Sequence, residues 1–269
     1  MTPKTIEKIN TEGSEIYCER QGNGPLLILI TGAMGDAGYY SYVSEILSKE
    51  FTVVTYDRRC NSRSTGDRTT DMTIEQQARD VVAIISKMNF STAIVFGNSG
   101  GGIIGLELAT SRPDLISFLI VHEAPIIELL PDAKKWRSFN DNIYFKSQKE
   151  GWKVALGDFM KSLVNSPGVS FPDDLKRRIS GNVDFFFKHE FKSFINYIPD
   201  FKRLQENDVN IVAAVGIESD DAYYVKSTKE IASRLRCPLF NFPGQHVAFF
   251  YLPKEFSMAL KNTINKKEQ

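Results

Sequence analysis

Ser99 lies in Gly97-Asn98-Ser99-Gly100-Gly101, a Gly-x-Ser-x-Gly pattern in which small neighbours let a strand turn sharply into a helix around one exposed hydroxyl. Such a hydroxyl is a candidate nucleophile, but it attacks poorly at neutral pH unless an imidazole takes its proton and a carboxylate holds that imidazole. The chain has three histidines. His246, in Pro243-Gly244-Gln245-His246, is the one downstream of every candidate acid, as the chain order serine, acid, histidine requires. His189, between Lys188 and Glu190, reads as a solvated residue or a substrate contact, and His122 as a hydrogen-bonded core histidine. Two places could supply the acid. Glu123 directly follows the apolar run 115–122, whereas Asp220 and Asp221 follow the run ending at Val215. In many folds with this serine the acid comes three residues after the glycine that closes the later strand. Counting from Gly216 lands on Ser219, so Glu123 is the expected acid and Asp220 or Asp221 the alternative.

Elements able to position these groups are legible in the hydrophobic pattern. Residues 93–96 form a short apolar run expected of a buried strand, and the apolar residues from Ile103 onward continue as a helix, which is the strand, turn and helix that the serine pattern needs. Upstream, 5–10 and 15–20 flank a turn at 11–14 and predict an antiparallel hairpin at one sheet edge. Strands are predicted at 26–30, 51–56, 115–121, 209–215 and 239–242. Helices are predicted at 39–48, from Thr73 onward, at 222–235 and at 254–264. Thr73 and Gln76 have capping-box spacing, and Ile74, Ala78, Val81, Val82 and Ile85 share one helical face. The tail 261–269 is polar and reads as a solvated helix end.

Strands alternating with helices imply an α/β fold with a mostly parallel, doubly wound sheet, binding at the carboxyl ends of its strands. Between 125 and 201 the alternation stops. That stretch carries Trp136, Phe139, Tyr144, Phe145, Trp152, Phe159, Phe185, Phe186, Phe187, Phe191, Phe194 and Tyr197 on charged, helical sequence, and reads as a helical cap inserted into a core of residues 1–124 and 202–269. Most of these rings should pack the cap, and a minority should line a largely apolar pocket above Ser99.

Composition narrows the partners. The 269 residues are 42% hydrophobic and 25% charged, with 33 basic residues against 33 acidic ones, so no net field draws in nucleic acid or an anionic membrane. Cys18, Cys60 and Cys237 show no paired spacing, which argues against a disulfide framework or a zinc cluster and suits a reducing compartment. With no apolar leader at 1–10 and no long apolar run, the expectation is a cytoplasmic protein acting on a small molecule without metal or cofactor. The glycine-rich loop 31–35 lacks the lysine of a phosphate-binding P-loop and the spacing of a dinucleotide fingerprint. Oligomeric state is not legible.

These motifs resemble those of the α/β-hydrolases, and more narrowly the chain is similar to the zearalenone lactonases and related bacterial hydrolases. The resemblance rests on residues 97–101, on His122, Glu123, Ala124 and Pro125, on the loop Asp57-Arg58-Arg59-Cys60-Asn61-Ser62-Arg63-Ser64, and on Pro243 to His246. It runs from about 25 to 256 and is weakest in the cap. It implies an α/β-hydrolase fold with Glu123 as the acid. Ala33 would then be the second backbone donor to an oxyanion, beside the Gly100 amide that follows the nucleophile. Cys60 stands where many relatives carry glycine, leaving a packing thiol or a strained turn. The cap residues that grip the mycotoxin in the lactonases have no clear match. The expected activity is hydrolysis of a carboxylic ester or lactone through an acyl-enzyme. Carbon-carbon bond hydrolysis by the same three groups is one alternative, and a non-catalytic small-molecule receptor on the same fold is the other.

Overall fold

The structure is a computed structural model that describes residues 3–163 and 169–266. Strands β1 (Lys4–Thr11) and β2 (Ser14–Gln21) form an antiparallel hairpin whose two-residue turn, Glu12 and Gly13, has positive φ at both positions, the turn whose twist matches paired strands. Then come β3 (Leu26–Ile30), β4 (Thr52–Tyr56), β5 (Ala93–Asn98), β6 (Ile116–His122), β7 (Ile211–Gly216) and β8 (Leu239–Phe242). They form one eight-stranded sheet in the order β1-β2-β4-β3-β5-β6-β7-β8. From β4 to β8 every pairing is parallel, and β2 joins β4 antiparallel.

The helices in chain order are α1 (Ser41–Leu47), α2 (Ile74–Lys87), α3 (Gly100–Ser111), α4 (Ala133–Lys149), α5 (Trp152–Lys161), α6 (Asp173–Phe185), α7 (Phe191–Ile195), α8 (Phe201–Glu206), α9 (Tyr223–Leu235), α10 (Ala248–Tyr251) and α11 (Pro253–Asn265). One turn of π helix, Phe186–Glu190, joins α6 to α7. Both sheet faces are covered, which explains why β3 to β7 read as continuous apolar runs. Leu27 and Leu29 share a core with Val43 and Leu47 of α1 and Phe256 and Leu260 of α11. Ile28 and Ile30 share the other with Val81 and Ile84 of α2 and Ile103 and Leu106 of α3. Each such side chain contributes about 1.5–3 kcal/mol on burial.

Several boundaries differ from the sequence pattern for local reasons. The helix predicted at 39–48 is a 3-10 turn, Ala37–Tyr40, running into α1, because the Asp36 side chain caps the turn through Gly38 N. Val209 precedes its strand, and α10 intervenes before the last helix. At α2 the Thr73 hydroxyl accepts from Gln76 N at 3.1 Å, but the Gln76 side chain bonds Asp80 and Arg79 instead of returning to the cap. Val82 is only half-buried, and Ile84 takes its place in the core. The tail is helical through Asn265, and residues 267–269 lie outside the described residues.

Among the described residues between β6 and α8 the regular elements are helices, and many of their apolar residues are continuous with the core over α3. Phe186, Phe187 and Phe191 are buried in that same cluster. With Phe159 of α5 they form a group of rings whose centroids lie 5.1 to 6.1 Å apart, mostly in the edge-on arrangement that ring quadrupoles favour.

Candidate active site

The turn after β5 places Ser99 at φ 56° and ψ −126°, a region costly for any residue with a side chain. Two backbone bonds hold it there: Ser99 N donates to His122 O, and Gly102 N donates to Ser99 O, both at 2.9 Å. A Cβ on Gly97 would strike the Gly101 carbonyl, and one on Gly101 would strike the Ile30 carbonyl. The flanking glycines therefore allow β3, β5 and α3 to close up around the serine.

His246 follows β8, and its Nδ1 lies 2.7 Å from Glu123 Oε2. The other carboxylate oxygen, Oε1, accepts from Gly216 N at 2.8 Å. Glu123 is itself at φ 50° and fully buried at the end of β6. Burial alone would raise its carboxyl pKa, but the hydrogen bond with His246 and the charges of His122 and His246, helped by Ser219, outweigh it and hold it down at about 2. Asp220 and Asp221 are exposed and stand apart, Asp221 being 3.7 Å from Lys226. Glu123, and neither aspartate, is thus the carboxylate brought to His246. The Tyr224 ring lies 4.4 Å from the imidazole, centroid to centroid.

Sequence reasoning passed over Asn98. Its Nδ2 lies 2.9 Å from His122 Nδ1 and donates to His246 O at 3.1 Å, so the residue before the serine fastens the histidine loop to the elbow. His122 is buried among Phe96, Phe242 and Phe256, and that burial pushes its imidazole down to about 4. His189 pairs with Asp71 at 3.0 Å and does not line the cavity. Cys60 is both things the sequence suggested, a buried thiol and a residue at φ 64°.

Above Ser99 lies a cavity of about 300 Å³ whose wall includes Thr31, Gly32, Ala33, Asn98, Ser99, Gly100 and His246. Gly32 approaches so closely that a Cβ on it would sit 2.8 Å from Ser99 Cβ and 3.0 Å from Gly100 N. The amides of Ala33 and Gly100 have no protein acceptor among the described residues. Ser99 and His246 face the same space, and no hydrogen bond joins them. Among the described residues no Asp, Glu, Lys or Arg lines the cavity. Of the aromatic residues between 125 and 201 singled out from the sequence, Phe159, Phe186, Phe191 and Phe194 line it; Phe171 of the same stretch, passed over in the sequence, joins them, with Tyr39, Tyr40, Tyr223 and Phe249 from outside it. Trp136 stacks instead on Tyr223, and Phe145 is exposed. Among the described residues no group of three or more His, Cys, Asp or Glu side chains is placed to hold a metal ion, and no helix is long and apolar enough to cross a membrane.

Comparison with known proteins agrees with this architecture. The family model for the alpha/beta hydrolase fold matches residues 25–171. The uncharacterized hydrolase YraK of Bacillus subtilis is 28% identical over 97% of this chain and 96% of its own length. The putative carbamate hydrolase RutD of Agrobacterium fabrum is 34% identical over 110 residues, 41% of this chain and 42% of that protein. Among solved structures, a thermophilic esterase from Thermogutta terrifontis superposes with a TM-score of 0.78 over 97% of this chain and 98% of that one, at 17% identity.

Proposed function

Because the chain belongs to the alpha/beta hydrolase fold family, we propose that it is a serine hydrolase that cleaves a carboxylic ester or lactone of a small, uncharged, largely apolar substrate. The observation that carries this reading is the His246 Nδ1 to Glu123 Oε2 hydrogen bond of 2.7 Å at the wall of a cavity that Ser99 shares and that no charged side chain among the described residues lines. With Nδ1 committed to Glu123, Nε2 is the atom free to take a proton. When substrate fills the cavity, Ser99 Oγ turns to Nε2 and attacks the carbonyl carbon as its proton passes to His246. Glu123 orients the imidazolium that results. The Ala33 and Gly100 amides meet the negative oxygen, each such donor being worth about 10² to 10³ in rate. Collapse expels the alcohol with the proton from His246. Water then attacks the acyl-enzyme by the same route and releases the acid and the free serine.

The aromatic-rich helices α4 to α7 act in this reading as a cap that shapes the acyl and alcohol sites, the cap being the insertion 125–201. Cys18, Cys60 and Cys237 are free thiols, which supports the cytoplasm as the working compartment. Labelling with a fluorophosphonate tests the core of the proposal. The wild type should label on Ser99 and Ser99→Ala should neither label nor turn over while melting as a folded protein. A wild type that stays unlabelled at saturating probe overturns it in favour of a small-molecule receptor. A panel of p-nitrophenyl esters, lactones including zearalenone, and a p-nitrophenyl carbamate then assigns the bond cleaved.

A further inference from the structure

Resting on that serine-hydrolase reading, we propose that Arg58 is a positioning residue: it aims the Ala33 amide at the oxyanion and ties that aim to the helices above the cavity. Arg58 follows β4 and is completely buried. Its backbone amide donates to Gly35 O at 2.8 Å, and its Nε donates to Gly32 O at 3.1 Å. The loop after β3 is therefore wrapped around this one side chain, so closely that a Cβ on Gly35 would lie 2.6 Å from Nε. In a trans peptide the carbonyl and the next amide point in opposite directions. Fastening the Gly32 oxygen to Arg58 turns the Ala33 N–H the other way, toward the cavity that Ala33 lines beside Ser99.

The far end of the same guanidinium reaches the cap. Nη1 and Nη2 donate to the two carboxylate oxygens of Glu190 at 2.6 and 2.9 Å, and both side chains are fully shielded from solvent. Glu190 closes the π turn Phe186–Glu190, and such interruptions of a helix gather at functional sites. Phe194, one turn further on, lines the cavity with its ring centroid 5.3 Å from Arg58 Cζ. A second tie runs in parallel, from Asn182 Nδ2 to Met34 O at 3.0 Å. A buried ion pair adds little net stability compared with well-packed apolar side chains. What this pair supplies is geometry: a rigid fork holding the Gly32 oxygen at one end and the π turn at the other.

The test compares wild type, Arg58→Lys, Glu190→Gln and the apolar double variant Arg58→Met with Glu190→Leu. Each is measured for thermal midpoint, for kcat and KM on p-nitrophenyl acetate, and for the rate of fluorophosphonate labelling of Ser99. Folded Arg58→Lys and the double variant should lose about tenfold to a hundredfold in kcat, less than the removal of a whole oxyanion donor, with KM within about threefold of wild type. Labelling should slow in parallel. Glu190→Gln, which leaves Nε on Gly32, should lose less. Either Arg58 variant, folded and with kcat within about twofold of wild type, overturns the positioning role. A wild type that neither labels nor turns over overturns the hydrolase reading, and the positioning role with it.

Discussion

Glu123 illustrates how much one side chain's role depends on its anchoring. Its backbone is turned at φ 50°, one carboxylate oxygen is fixed by Gly216 N and the other meets His246. The position three residues past Gly216, where sequence counting looked for an acid, holds buried Ser219, whose hydroxyl helps to keep the Glu123 carboxyl low. Glu123→Gln should preserve the shape but offer His246 the wrong partner, lowering kcat by roughly 10³- to 10⁴-fold. Asp220→Asn and Asp221→Asn, altering exposed side chains, should leave kcat within about twofold. Steady-state kinetics on one ester decide among the three carboxylates. Equal losses at Glu123 and at either aspartate would remove Glu123 from its assigned place.

At the scale of elements, the site exists because three strands end together. β3 delivers the loop 31–35, β5 delivers Ser99, β6 delivers Glu123, and the loop after β8 brings His246 back to them. Strands β3, β5 and β6 are buried along both faces, so errors in the helices that cover them reach the site only through lost packing. α2 shows this division. Its apolar face is buried by Ile74, Ala78, Val81, Ile84 and Ile85, while its first turn depends on the Thr73 cap. Because Gln76 does not return the bond, the cap is a single interaction, and Thr73→Ala should cost about 1 kcal/mol with no change in KM. Urea denaturation measures it. A loss above about 2 kcal/mol would mean that Thr73 does more than cap.

For the whole molecule, buried titratable groups set the response to acid. His122 has a folded pKa of about 4 against an ordinary 6.5, so between those values the unfolded chain binds a proton that the folded one refuses. Stability therefore falls as pH is lowered from 6.5 to 4, by about 3 kcal/mol in all. Glu123 acts lower down. Its folded pKa of about 2 lies below the ordinary 4.5, so its contribution is complete above about 4.5 and is lost as pH falls toward 2. Urea midpoints at pH 7 and pH 4.5 should separate for the wild type and draw together in His122→Gln. Equal separation in both proteins would assign the acid sensitivity to another group.

The order of strands and helices, the covered faces of the sheet and the small residues around Ser99 were determined by the sequence by itself. Hydrophobic periodicity and steric need at a tight turn are local properties, readable within a few residues. The tertiary structure alone decided what meets across long separations. Glu123 and His246 lie 123 positions apart, and Arg58 and Glu190 lie 132 apart. Nothing in the pattern around Arg58 announced a buried fork beneath the loop 31–35, since a charged residue in a polar loop ordinarily points to solvent. Likewise the aromatic sequence of 125–201 promised a lined cavity, but which rings face it follows from how the helices rotate as they pack, and helical spacing alone does not specify that rotation.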